Sequence, residues 1–128
     1  MKKEDMIKYW LESAKRDKQT AKILFESKRY HHCLFFCHLL LEKTLKALVV
    51  KTADQAPPWT HDLLKLAQVA QIPLSRSLKR DLKEINSFNI QARYNDIKFQ
   101  FYQKATKKYT EKYFKGCLKI YQWLKKQV

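Results

Sequence analysis

The chain has 128 residues, 45% of them hydrophobic, with three Trp, seven Tyr and seven Phe, which is enough for one core in one domain and excludes a disordered tail. One Gly and three Pro are too few for strands linked by tight turns, so an all-β chain is excluded and a few long helices are favoured. Twenty-seven Lys and Arg against 12 Asp and Glu leave a net charge of +15, which points to an anionic partner: nucleic acid, nucleotide, an acidic protein or an anionic membrane surface.

Met1-Lys2-Lys3-Glu4-Asp5 leads into an amphipathic stretch without the apolar segment and cleavage site of a secretory signal, so a cytoplasmic protein is expected. The richest apolar run, residues 33–41, is interrupted by His38 and falls short of the ~20 residues of a membrane span. Ile7, Trp10, Ala14, Asp17, Ala21 and Leu24 recur at spacings of three and four, predicting a helix over residues 3–27. Asp17 stands within that apolar stripe. Either it is buried and takes a cation or hydrogen-bond donors from elsewhere in the fold, or the stripe twists enough to leave it wetted.

Residues 30–51 carry apolar side chains over much of the helical circumference, among them Leu34, Leu41, Leu45 and Leu48, which predicts a central helix packed on several sides. Pro57-Pro58 marks a loop. Thr60-His61-Asp62 reads as an N-cap with an acidic first turn, opening a short helix through Leu63, Leu66, Ala67 and Ala70. Ser75 can cap a fourth helix carrying Leu78, Leu82 and Ile85. Residues 87–103 lack a clean helical period and are expected as a long irregular connection. Tyr109, Tyr113, Cys117, Ile120, Tyr121 and Leu124 predict a last helix over residues 106–126. The expected fold class is all-α: one domain over residues 1–128, an antiparallel up-and-down bundle of four long helices plus one short helix.

Residues 104–128 hold eight Lys and one acid, Glu111, nearly half of the net charge. Lys104, Lys108, Lys112, Lys115 and Lys119 step by three and four, so within a helix they share a face, either a phosphate-binding row or an ordinary solvated one. Arg76, Lys79 and Lys83 add a second basic edge. His31, His32, Cys33, Cys37 and His38 have zinc-like residue types, but Cys33 and Cys37 lie in a continuous apolar helix and are better read as small core residues. The three Cys are read as free thiols in a reducing compartment, and neither metal nor cofactor is implied. His38, Glu42 and Lys46 follow at spacings of four, a line that is an internal polar network if it faces inward and a surface ion pair if outward.

The segment Asn89-Ile90-Gln91-Ala92-Arg93-Tyr94-Asn95-Asp96 joins a guanidinium, a phenol, amides and a carboxylate on backbone expected to be irregular. Arg93 has two readings: a bidentate grip on phosphate with Tyr94 stacking on a base, or an ion pair with Asp17 that anchors the segment.

Taken in order, Trp10, Ala14 and Asp17, Tyr30 through Cys33 and Phe36, the run from His38 to Ala47, Thr60-His61-Asp62-Leu63, Ala92-Arg93-Tyr94-Asn95-Asp96 and Trp123-Leu124 give the chain its pattern. It resembles, over nearly its whole length, the HEPN domain family (higher eukaryotes and prokaryotes nucleotide-binding). The resemblance implies an all-helical up-and-down bundle that commonly dimerises and, in bacteria and archaea, often works beside a small nucleotidyltransferase in toxin–antitoxin-like pairs. Active members resemble metal-independent ribonucleases with an Arg, four to six residues and a His, often followed two positions later by Tyr. Here the same frame runs Arg93, six residues, Gln100 and then Tyr102. An amide orients but does not exchange a proton near neutral pH, so Gln100 lacks what RNA cleavage through the 2′-hydroxyl uses. His61 is the remaining imidazole after His38.

The resemblance also implies that Tyr102 is a potential nucleotide acceptor for a partner nucleotidyltransferase. The leading expectation is a binding module, a homodimer that takes nucleotide or RNA phosphate through Arg93, Tyr94, Asn95, Asp96 and Lys46. The alternatives are a metal-independent endoribonuclease using Arg93 with His61 or Gln100, and a non-catalytic dimeric scaffold in which Arg93 pairs with Asp17.

Overall fold

The computed structural model describes residues 2–91 and 95–128, with the backbone alone for 95–98. Among the described residues there are six helices and no strand: α1 (Lys3–Glu26), α2 (Tyr30–Ala53), α3 (Leu63–Val69), α4 (Arg76–Gln91), α5 (Asn95–Lys104) and α6 (Lys107–Lys125). No helix among them is long and apolar enough to cross a membrane.

α2 is the centre. It packs against α1, α3, α4, α5 and α6 and buries Cys33, Leu34, Cys37, Leu40, Leu41, Leu45, Leu48 and Val49, as its broad apolar circumference predicts. α1 folds back along α2 and buries Ala14 and Ala21, two turns apart, whose small side chains let the two backbones approach. Between them lies Asp17, buried, with Lys43 Nζ of α2 at 2.7 Å from its Oδ2. Among the described residues, the partner that a buried carboxylate requires is a lysine from the neighbouring helix, and a pairing with Arg93 lies outside them.

The helix ends are closed without glycine. At the end of α1 the Arg29 N–H donates to Leu24 O and the Lys28 N–H to Phe25 O, with Lys28 at φ 62°. Ile72 to Ala67 and Gln71 to Gln68, with Gln71 at φ 59°, repeat the arrangement after α3. In both, a left-handed residue turns the chain and satisfies the last carbonyls. Ser75 accepts from the Leu78 N–H, capping α4 as expected, and Thr106 accepts from the Tyr109 N–H, capping α6.

Two expectations need correction. Thr60 is not the N-cap of α3. That role belongs to Asp62, whose side chain accepts from the Leu64 and Lys65 amides, while the Thr60 hydroxyl accepts from the Asp62 N–H in the preceding turn. A carboxylate is the stronger acceptor at a helix start, and the helix begins after it. The described parts of the connection over 87–103 are also mostly helical, because α4 runs on to Gln91 and α5 adds a second short helix, making six elements among the described residues instead of five. The pattern is hard to see because α5 buries Phe101 while leaving Phe99 and Tyr102 exposed, so its aromatics do not form one stripe. Phe88 of α4 stacks on Phe101 at 5.6 Å between centroids and meets Tyr113 edge-on at 5.6 Å, joining α4, α5 and α6.

Candidate functional site: a carboxylate that gathers two histidines and a lysine

His38, Glu42 and Lys46 occupy successive turns of α2 and face inward: His38 and Glu42 are buried and Lys46 is nearly so. An isolated carboxylate there would be costly, and the chain answers with three partners. Lys46 Nζ donates to Glu42 Oε2 at 2.8 Å, and His61 Nδ1 lies 2.9 Å from Glu42 Oε1. His38 Nε2 donates to the carbonyl oxygen of His61 at 2.8 Å, and His38 Nδ1 lies 3.7 Å from Glu42 Oε1. Burial pushes the Glu42 carboxyl upward, but hydrogen bonds from Lys46 and His61 outweigh it and hold the group below the ordinary value of 4.5.

An ionised carboxylate only accepts, so His61 presents Nδ1–H to it and keeps Nε2 as an acceptor on a side chain that is 56% exposed. His61 thus stands as an oriented imidazole, held at its backbone by His38 and at its ring by Glu42. Two clefts of about 400 Å³ meet at it. One runs past Lys46, Trp10, Pro57, Pro58 and Trp59. The other runs past Asp62, Lys83, Asn86 and Ser87. Asn86 ties the second to the start of α3, donating to Asp62 Oδ1 at 2.7 Å and accepting from the Leu63 N–H at 2.8 Å.

His61 and Lys46 are thereby brought together through Glu42. Tyr102 and Gln100 are not part of this cluster. Both are exposed on α5, and the Tyr102 ring meets His31 edge-on at 5.1 Å. His31 and Glu42 are eleven residues apart on one helix, about 16 Å along its axis. Arg93 and Tyr94 lie outside the described residues, as do the side chains of Asn95 and Asp96.

The lysine row is shorter than the spacing implies. Lys104 ends α5 and turns to Glu84 at 2.9 Å, beside Tyr109, whose hydroxyl donates to the same carboxylate. Burial, and then the Glu84 carboxylate, push the Tyr109 phenol well up. Lys108, Lys112, Lys115 and Lys119 remain exposed along α6, with Glu111 paired to Lys115 at 2.9 Å.

Nothing in the residue pattern singles out Trp59, which is fully exposed at the mouth of the first cleft. Nor does spacing reveal that His61, nineteen residues beyond Glu42, completes the polar line. The available signal is a lone acid in an apolar helix, which demands partners, followed by a Pro-Pro loop that turns the chain back.

An all-helical chain built around one central helix, with an inward His-Glu-Lys line answered by a histidine before the third helix, defines a class of small helical domains. The model of the HEPN domain matches residues 7–127, and the chain belongs to the HEPN family. None of the curated proteins matches it. Among solved structures the chain is similar to the crystal structure of TT1696 from Thermus thermophilus, with 21% identity and a TM-score of 0.79 over 95% of this chain and 98% of that one, a likeness of fold.

Proposed function

We propose that this HEPN-family chain is a binding module for nucleotide or RNA phosphate, one helical domain over residues 1–128 arranged as an up-and-down bundle. It acts in the cytoplasm as a homodimer beside a small nucleotidyltransferase in a toxin–antitoxin-like pair. The observation that carries the reading is electrostatic: four exposed lysines follow one another along α6 in a chain with a net charge of +15. Such a row neutralises successive phosphates and releases their counterions. Lys46, Arg93, Tyr94, Asn95 and Asp96 are the further residues assigned to the nucleotide, and the exposed Tyr102 is the phenol available to a partner nucleotidyltransferase.

A second reading, a metal-independent endoribonuclease, is favoured by one observation, the His61–Glu42 contact at 2.9 Å. A carboxylate that fixes the imidazole leaves His61 Nε2 free to take a proton from a 2′-hydroxyl, with Arg93 assigned to the phosphate. Gln100 supplies no such exchange.

The test is incubation of the purified protein with a labelled structured RNA in a chelator, reading binding and cleavage together. Binding without cleavage is expected, weakening steeply from about 50 to about 200 mM salt. Cleavage that is lost in His61→Ala and Arg93→Ala but kept in Gln100→Ala would replace the module by the enzyme. Absence of RNA binding at low salt would sink the enzyme, and the module as well if no mononucleotide binds.

A further inference from the structure

The loop after α2 is well held, yet it presents its largest apolar side chain to water. The Thr60 N–H donates to Pro58 O at 2.9 Å, closing a tight turn at Trp59. The Asp62 N–H donates to the Thr60 hydroxyl at 3.1 Å, His38 holds the carbonyl of His61, and Glu42 holds its ring. Pro57 and Pro58 restrict the backbone before the turn. A segment fixed at so many points, with an indole fully exposed, is ordered for contact and not for burial.

That indole faces no empty surface. With Trp10 of α1 and the two prolines it walls a cleft of about 400 Å³, within the size range of small-molecule sites. Lys46 and His61 form the polar side, and among the described residues no carboxylate lines the cleft. Lys46 Nζ lies 5.1 Å from the Trp10 ring centroid, so the ammonium stands over the aromatic wall while one of its three hydrogens goes to Glu42. Flat π-faces on one side and the Lys46 ammonium on the other, in a chain of net charge +15, select a ligand with a planar ring and an anionic group.

We infer that this cleft is a mononucleotide subsite, its base stacking on Trp59 and Trp10 and its phosphate directed to the Lys46 ammonium. The inference rests on the nucleotide-binding reading above and gives it a location distinct from the α6 lysine row. His61 lines both this cleft and the adjoining one past Asn86 and Ser87.

The experiment is titration of the full chain with AMP, GMP, CMP and UMP, and with ribose 5-phosphate and inorganic phosphate, followed by tryptophan fluorescence and calorimetry. Trp59→Ala is the decisive variant, because removing a fully exposed side chain leaves the fold intact. At least one nucleotide is expected to quench fluorescence and to bind more tightly than ribose 5-phosphate. Trp59→Ala should weaken that binding at least fivefold and Trp59→Phe restore most of it.

Nucleotide binding unchanged in Trp59→Ala overturns the subsite and leaves the module standing. Binding of an RNA oligomer without any mononucleotide does the same. Failure of both RNA and mononucleotides to bind removes the module as well. A Trp59→Ala chain that turns from dimer to monomer, with nucleotide binding unchanged, reassigns the loop to a protein contact and also overturns the subsite.

Discussion

Glu42 is the only acid of α2 and sits on its buried side, so its charge state is tied to the stability of the whole cluster. Lys46, His61 and His38 face it, and its folded-state pKa lies below the ordinary 4.5. A depressed carboxylate stabilises the fold above its unfolded value and loses that contribution as pH falls through the folded one. Thermal stability should therefore hold level down to about pH 5 and decline below 4.5, with a shallower decline in Glu42→Gln. Glu84, depressed for similar reasons by Tyr109 and Lys104, adds to the same fall, and Glu84→Gln separates the two contributions. Glu42→Ala leaves Lys46, its side chain only 12% exposed, without a counter-charge, and should cost about 3 kcal/mol in denaturant unfolding at neutral pH. The four-residue spacing of His38, Glu42 and Lys46 was plain in the sequence. Which way it faced was not, because periodicity places residues on one side of a helix without saying what packs there.

The helices themselves were the most legible layer, since long apolar stripes mark them and Ser75 caps one of them. The exceptions were α5 and the end of α4, where a single buried Phe101 among exposed aromatics gives no period to read. The chain's one glycine lies in mid-helix, while its left-handed helix ends carry Lys28, Asp54 and Gln71. A Cβ added at Gly116 would meet nothing within 4 Å. Gly116→Ala should therefore raise stability by about 0.5–1 kcal/mol, the helix-propensity difference alone. Gln71→Gly relieves a left-handed side chain but loosens the unfolded chain, for a net gain of up to about 1 kcal/mol. Thermal melts of the two single variants and the double should show additive shifts, the sites lying on separate elements.

At the scale of the molecule the governing quantity is the excess of positive charge, legible from composition alone. Its arrangement was only partly so: the step of four from Lys104 to Lys108 promised one row, but the break at Ala105-Thr106 sends Lys104 to Glu84 instead. The row on α6 is a matter of exposed side chains, so Lys108→Gln, Lys112→Gln and Lys119→Gln together should leave the melting temperature nearly unchanged. If each neutralises a phosphate of single-stranded RNA, the slope of log affinity against log salt should flatten by about 2. An unchanged slope would move the RNA to another face. The Trp59 cleft, by contrast, belongs to no periodic pattern, since it forms from a loop and two helices distant in sequence.

Cys33, Cys37 and Cys117 are free and fully enclosed, and the Cys117 thiol donates to the Cys37 carbonyl at 3.3 Å where α6 crosses α2. Hydrogen bonding between the thiols, together with burial, pushes Cys33 and Cys37 well above the usual thiol range. The closed molecule accordingly shows no nucleophilic sulfur to an oxidant or an alkylating reagent. A modified cysteine in this protein is a record that the seam between its central and last helices has opened, which makes the sulfurs built-in timers of its breathing.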